Sequence, residues 1–375
     1  MSLASSLASA KRIVIKTGSS LIAHETGEPR IEWLANLAAD ISKWRSDDRD
    51  IVLVTSGAIA LGKSGLGRTD LHQLAEKQAA AALGQPRLMA ALGSAFQAHD
   101  ITIAQALLTL EDTENRRRWL NARATLETLL DAGIVPVINE NDTVATEEIR
   151  YGDNDRLAAR VAQMLSADIL ILLSDVDGLY TANPDETPDA THIAEIHELG
   201  PDIIAMAGGA NETAGVGSGG MVTKLAAARI AQEAGCATII TLGERSAPLS
   251  ALENGGRASL VHASMTPENA RKAWIRGHIH TEGEICVDAG AVTALLGGAS
   301  LLPIGITSVS GEFQRGAILN VTQPDGHLIA KGIAAYPASD IERLIGQHSD
   351  AIDNILGATA RGPAIIHRDD LVLAR

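Results

Sequence analysis

The feature that most constrains this chain is an alternation. A short, wholly apolar run ends on glycine and polar residues, and a stretch with helical spacing follows. Arg12 to Ile15 runs into Lys16-Thr17-Gly18-Ser19-Ser20, after which Ile31, Leu34, Leu37, Ile41 and Trp44 recur at helical intervals. Ile51 to Val54 stops at Thr55-Ser56-Gly57, with an Ala-rich helical stretch from about Gln73 to Ala98 beyond it. Ile101 to Leu108 predicts another strand, Thr113 a helix cap for a helix reaching Asp131, Gly133 its end, and Ile134 to Ile138 the next strand. Asp155 to Leu165 reads as helix, Asp168 to Leu173 as strand, Met221 to Ala234 as helix and Ala237 to Thr241 as strand. Runs apolar on both faces belong to parallel strands covered by helices, and such sheets bind ligands beyond the carboxyl ends of their strands. The fold class expected is α/β, a three-layer sandwich around an open, mostly parallel sheet.

At 375 residues the chain is too long for one ordinary core, so two units are expected. After Gly243 the periodicity lapses, and from Trp274 short alternating runs such as Gly283 to Asp288 and Ala317 to Val321 predict a small β-rich domain. The division expected is 8–258, a linker over 259–273, and 274–375. A formal charge of −15 disfavours nucleic-acid and anionic membrane surfaces as partners and leaves small ligands. Cys236 and Cys286 have no pair spacing, so neither a disulfide framework nor a thiolate metal site is expected. No basic start precedes an apolar core at the N-terminus, and no apolar run is long enough for a membrane span, which points to a reducing cytoplasm.

Two familiar patterns fail their context. Gly57 to Ser64 matches the P-loop expression, yet its interval Ala-Ile-Ala-Leu suits a buried helical turn better than a loop baring amides to phosphate. Gly215 to Gly220 matches G-x-G-x-x-G without a preceding strand. Better evidence lies in six polar segments assigned to strand ends: Lys16 with Gly18, Ser56-Gly57-Ala58, Asn139 to Asp142, Gly152 to Asp155, Ser174-Asp175, and Ser218 to Lys224. Each has a bland use, since Asp and Asn cap helices and glycines make turns, but together they fall where an open sheet binds its ligand. Lys16 and Lys224 supply the positive charge that phosphoryl transfer needs, while Gly18, Gly57, Gly219 and Gly220 let amides approach phosphate. A carboxylate acceptor, with a reference pKa of about 4.3, needs no general base, in keeping with the lack of a His in these segments.

These residues resemble the glutamate 5-kinase family, amino acid kinases joined to a C-terminal PUA domain. The likeness rests on V-I-K-T-G-S-S, V-T-S-G-A-I-A, V-I-N-E-N-D-T, G-D-N-D, L-L-S-D-V-D-G and G-S-G-G-M-V-T-K, and spans nearly the whole chain. It implies transfer of the γ-phosphoryl group of ATP, with Mg2+, to the γ-carboxylate of L-glutamate, the first step of proline synthesis. By position it implies Lys16, Lys224 and Asp155 at the chemistry, and Ser56, Gly57, Asp142 and Asn154 on glutamate. It puts Lys16, Gly18, Ser174, Asp175, Ser218, Gly219, Gly220, Met221, Val222, Thr223 and Lys224 on the nucleotide, and no residue is directly assigned to the metal. Ser174 and Ser218 stand where the family often has Thr, and both keep the hydroxyl. The resemblance further implies proline as feedback inhibitor, with Asp112 and Glu148 as candidates, a homo-oligomer (dimer or tetramer), and contact with the downstream glutamyl phosphate reductase.

The PUA-like segment, related to RNA-binding domains, carries seven Lys or Arg against eleven Asp or Glu from Trp274 onward. Its net negative charge favours a regulatory or interaction role. Two alternatives stay open: a kinase of the same fold acting on aspartate, N-acetylglutamate or carbamate, and an RNA-binding regulator.

Overall fold

The structure is a computed structural model that describes residues 2–67, 70–145, 153–207, 220–277, 280–360 and 362–374. The chain forms two compact units, 1–267 and 268–375. In the first, the strands are β1 (Arg12–Thr17), β2 (Asp50–Val54), β3 (Ile103–Leu108), β4 (Val135–Glu140), β5 (Ile169–Ser174), β6 (Leu179–Tyr180), β7 (His192–Ile193), β8 (Glu195–Ile196), β9 (Ala237–Leu242) and β10 (Ala258–Val261). Eight of them make one sheet in the order β3-β4-β2-β1-β5-β9-β10-β8, while β6 and β7 form a separate antiparallel ribbon. Every pairing from β3 to β9 is parallel, whereas β10 runs antiparallel to β9.

Period-two alternation explains why this sheet is covered on both faces. Ile13, Ile15, Ile51, Leu53, Ile169 and Ile171 point into one core, with Trp33, Leu37, Trp44 and Phe96 from the helices. Val14, Val52, Leu170 and Leu172 point into the other, beside Leu157, Val161, Leu225 and Ala228. The strand order reverses around β1, which is flanked by β2 and β5, and this switch point opens a crevice at the carboxyl ends.

Two expectations about local structure change, and a third, the helical turn at the P-loop match, is met. Thr113 caps nothing: it is buried inside the short helix Leu110–Glu114, whose cap is Thr109, and Asn115 caps the following helix Arg116–Asp131. The P-loop match is a helix, Ala58–Gly62, crossing the long helix Leu74–Gln97. A Cβ on Gly62 would stand 1.8 Å from the Ala80 carbonyl oxygen, and one on Gly84 1.7 Å from that of Ala58, so these glycines let two backbones touch. The expected linker 259–273 is structured. It holds most of β10 and, from Pro267, the helix Pro267–Gly277, and the division between units falls within it. The four residues of β10 carry too little periodicity to declare a strand.

In the second unit Trp274 belongs to that helix, and the β-rich part begins later, at β11 (Gly283–Val287). With β12 (Ile306–Ser310), β13 (Ile318–Thr322), β14 (Leu328–Ile333) and β15 (Leu371–Leu373) it forms a five-stranded sheet ordered β12-β11-β13-β14-β15. Its own core gathers Ile285, Val287, Leu319, Val321, Ile341 and Tyr336, whose hydroxyl donates to the Gly362 carbonyl. No helix among the described residues is long and apolar enough to cross a membrane.

Candidate active site

The chain places Lys16 one residue short of the end of β1, where the apolar run stops, and its side chain stays about nine-tenths covered. Asp155 is the third residue of the helix Asp153–Met164, and Lys224 the fourth of the helix Met221–Glu233. These two helices share the second core, which brings their N-terminal turns together over the end of β1. Lys16 Nζ lies 2.5 Å from Asp155 Oδ1, and Lys224 Nζ 3.6 Å from Asp155 Oδ2. Thr223 Oγ1 donates to Asp155 Oδ2 at 3.0 Å.

The electrostatics of this trio are unequal. Burial pushes the Asp155 carboxyl up, but Lys16 and Lys224, with the Thr223 hydroxyl, outweigh it and hold the group below the usual carboxylate range. Burial pushes the Lys224 ammonium down. Asp155 opposes that shift, Lys16 adds to it, and Asp175 pulls back from farther away, leaving Lys224 below the usual lysine range. Two ammonium groups share one buried carboxylate, so the trio carries a surplus positive charge in a poorly solvated place. An incoming anion relieves that cost.

The phosphate side continues with the helix starting at Met221. Gly220 is its N-cap without a side-chain cap, so the first amides and the positive helix end face the same edge. Ser174 closes β5 beside β1, with Leu172 opposite Lys16, and its hydroxyl donates to Asp175 Oδ1 at 2.8 Å. Gly18 caps the short helix Ser19–Ile22. Gly57, at φ +95°, turns the chain from β2 into the next helix, a conformation only glycine takes cheaply, and a Cβ there would press on Ile22.

A second polar group lies toward β4. Asn154 Nδ2 donates to Ser56 Oγ (2.8 Å), to the Thr55 carbonyl (3.2 Å) and to Asn139 Oδ1 (3.2 Å). Asn139 Oδ1 also accepts from the Glu140 amide (2.9 Å), and Asn139 Nδ2 donates to Gln85 Oε1 (2.9 Å). Backbone groups have fixed polarity, so the Glu140 amide and Thr55 carbonyl determine which way both asparagines face. Among the described residues the network leaves one acceptor, Asn154 Oδ1, and one donor, Gln85 Nε2, buried without a hydrogen-bond partner. Asp142 sits in the turn after β4.

The described parts of the six segments thus meet on one edge, though not all as strand ends. Asn154-Asp155 and Met221 to Lys224 are first turns of helices, which adds the helix dipole to the edge. Ser218, Gly219, Gly152 and Glu148 lie outside the described residues. Asp112 is engaged in a capping box: the Thr109 amide and hydroxyl each donate to its Oδ2 at 2.8 Å, and Arg118 reaches Oδ1 at 3.1 Å. Burial pushes its carboxyl up, and the Thr109 bonds with Arg118 more than reverse this, so it stays below the usual range. It stands after β3, three strands from β1, about 14 Å across the sheet. Sequence reasoning missed Gln85 altogether and the part Asn139 plays, because Gln85 sits mid-helix among alanines with no motif around it.

Comparison with known proteins gives the family. The Amino acid kinase family profile matches residues 11–241 and the PUA domain profile residues 283–356. The chain is 54% identical over 367 residues to the glutamate 5-kinase of Caulobacter vibrioides (strain NA1000 / CB15N), covering 97% of each chain. To the glutamate 5-kinase of Paramagnetospirillum magneticum (strain AMB-1) it is 54% identical over 370 residues, covering 98% of this chain and 99% of the other. A solved structure of the carbamate kinase from Giardia lamblia bound to AMP-PNP is similar at 20% identity and a TM-score of 0.48, over 68% of this chain and all of that one. The chain belongs to the amino acid kinase family, in the branch of glutamate 5-kinases that carry a PUA domain.

Proposed function

We propose that the protein transfers the γ-phosphoryl group of ATP to the γ-carboxylate of L-glutamate, giving L-glutamyl 5-phosphate and ADP, the first step of proline synthesis. The observation that carries this is the buried trio of Lys16, Asp155 and Lys224 at the switch point of the sheet. A glutamate carboxylate oxygen forms the new bond to the γ-phosphorus as the bond to the ADP oxygen breaks. Lys16 and Lys224 neutralise the charge that spreads over the oxygens, and Asp155 holds both ammonium groups in place. No proton moves, because the acceptor is already ionised at neutral pH.

Glutamate then lies between this trio and the asparagine network. The unpaired Asn154 Oδ1 suits its α-ammonium and the unpaired Gln85 Nε2 its α-carboxylate, with Ser56, Gly57 and Asp142 around them. ATP takes the other side, along Gly18, Ser174, Asp175, Ser218, Gly219, Gly220 and the amides of Met221, Val222 and Thr223. Both oxygens of Asp155 face lysines, so it is a poor ligand for Mg2+. The described residues gather no carboxylate cage at this edge, and the ion enters with the phosphates of its substrate, MgATP. Proline inhibition through Asp112 and Glu148, a homo-oligomeric state, contact with the reductase that consumes the product, and a cytoplasmic location complete this reading.

The RNA-binding alternative finds little support in the second unit. A cavity of about 580 Å3 there is flanked by Lys272, Arg276 and Arg368, but Glu268 pairs with Lys272 and Asp369 lies against Arg368. The deciding experiment is hydroxamate trapping of the acyl phosphate with ADP release, run with glutamate, aspartate, N-acetylglutamate and carbamate, with and without proline. Turnover of another acid in preference to glutamate rejects the proposal.

A further inference from the structure

A cluster of metal-ligating side chains stands away from the catalytic edge, on the last two strands of the sheet. Along β8 and just past it, Glu195 is exposed, Ile196 buried and His197 exposed, so the carboxylate and the imidazole share one face. β10 runs parallel to β8 with Leu260 opposite Glu195 and Val261 opposite Ile196. Continuing that register sets His262 beside His197. Because β10 is antiparallel to β9, with Val261 opposite Thr238, the cluster lies at the amino-end edge of the parallel strands, opposite Lys16.

The backbone beneath the cluster is fixed by one side chain. Gln232, near the end of the helix Met221–Glu233, donates its Nε2 to the carbonyls of both His197 (3.1 Å) and His262 (2.7 Å). The His262 amide donates to the Ile196 carbonyl at 2.9 Å. Above this frame His262 Nε2 is 3.1 Å and His197 Nε2 3.8 Å from Glu195 Oε2, and the three ligand atoms all lie within 4.8 Å of one another. Ligands bound at about 2.0–2.1 Å around a tetrahedral ion stand about 3.3 Å apart, which these two separations bracket.

We propose that Glu195, His197 and His262 form a binding site for one divalent transition-metal ion of the Zn2+ type, joining the edge strand β8 to β10. The donor set of two imidazoles and one carboxylate suits Zn2+, Co2+ or Ni2+ and does not suit Mg2+, which takes oxygen ligands and keeps its water. The two rings are stacked, with centroids 4.3 Å apart and planes 10° from parallel, so one must rotate for both lone pairs to meet at the ion. His197 is the ring that turns: its side chain is 75% exposed, whereas His262 is 14% exposed. The ion replaces the Glu195–His262 contact with bonds to all three groups and leaves a fourth position to water. β8 is only two residues long, so the edge gains a fastening that two ladder pairings alone do not give.

The test uses the full chain without a histidine tag, stripped with a chelator. Zn2+ and Co2+ are titrated by calorimetry, with the visible absorption of tetrahedral Co2+ as a second readout. One saturable site per chain is expected, unaffected by excess Mg2+. His197→Ala and His262→Ala should each weaken it about tenfold or more and abolish the Co2+ band. His197→Ala alters only an exposed side chain, so it decides the question even if His262→Ala fails to fold. No saturable binding by the unmodified chain, or unchanged binding by His197→Ala, overturns the proposal.

Discussion

Lys16 Nζ and Asp155 Oδ1 meet at 2.5 Å across 139 positions of sequence, and the carboxylate they share with Lys224 is wholly buried. The contact joins the end of a central strand to the first turn of a helix, and in the proposed reaction it holds two cations where transferred charge develops. Lys16→Ala should lower kcat by about 10²- to 10³-fold, the usual cost of removing one preorganised charge-stabilising group, with a smaller change in KM for glutamate. Asp155→Asn should lower kcat too, because it leaves two buried ammonium groups facing each other. Steady-state kinetics checks both, with circular dichroism to show that the variants are folded.

In the proposed reaction Lys224 acts in its charged form, and burial lowers its pKa. The charged fraction falls as pH rises through that lowered value, so kcat/KM for MgATP should decline on the alkaline side earlier than an ordinary lysine would dictate. Lys224→Arg keeps its charge throughout and should move that limb upward, at a cost in rate because the planar fork fits a lysine site poorly. A pH profile of kcat/KM for both proteins checks this, and coincident alkaline limbs would contradict it.

The P-loop match makes the opposite prediction. Lys63→Ala should leave kcat and KM near their original values, since Lys63 opens a 3-10 turn behind the helix Ala58–Gly62. Gly84→Ala, in contrast, drives a Cβ onto the Ala58 carbonyl oxygen and should destabilise the protein by about 3 kcal/mol, because backbone cannot move aside as a side chain can. Thermal and urea denaturation of the two variants separates these outcomes.

Gln85 holds Asn139 through its oxygen, and its buried nitrogen has no hydrogen-bond partner among the described residues, which the proposed reading gives to the glutamate α-carboxylate. Gln85→Met preserves length but loses both functions. It should raise KM for glutamate about tenfold, one charge-assisted hydrogen bond, with kcat changed less and KM for ATP unmoved. Gln85→Glu restores the acceptor for Asn139 but sets a negative charge near the α-carboxylate, so it should not rescue glutamate binding. Equal KM values for the unmodified and Met proteins would show that Gln85 only supports the fold.

The alternation of apolar runs with helical stretches was enough to read a parallel sheet, because strands buried on both faces must be apolar throughout. Lys16, Ser56, Asn154, Ser174 and Lys224 were legible as interruptions of that pattern, and the resemblance gave them roles. Local signals failed where neighbours decide: Thr109 and Asn115, not Thr113, cap their helices, and β10 is a strand because β9 and β8 pair with it. The matching P-loop expression was settled by Gly62 and Gly84 facing each other across two helices.

What the sequence determined by itself, then, was the layered sheet and the edge that bears the polar groups, since burial and period are local properties of a run. Only the tertiary structure decided that Lys16 and Lys224 share Asp155, that Gln85 orders the asparagines, and that Glu195, His197 and His262 stand together. Each of those groupings unites residues far apart in the chain, and which of them meet depends on strand order and helix packing, quantities that no single segment encodes.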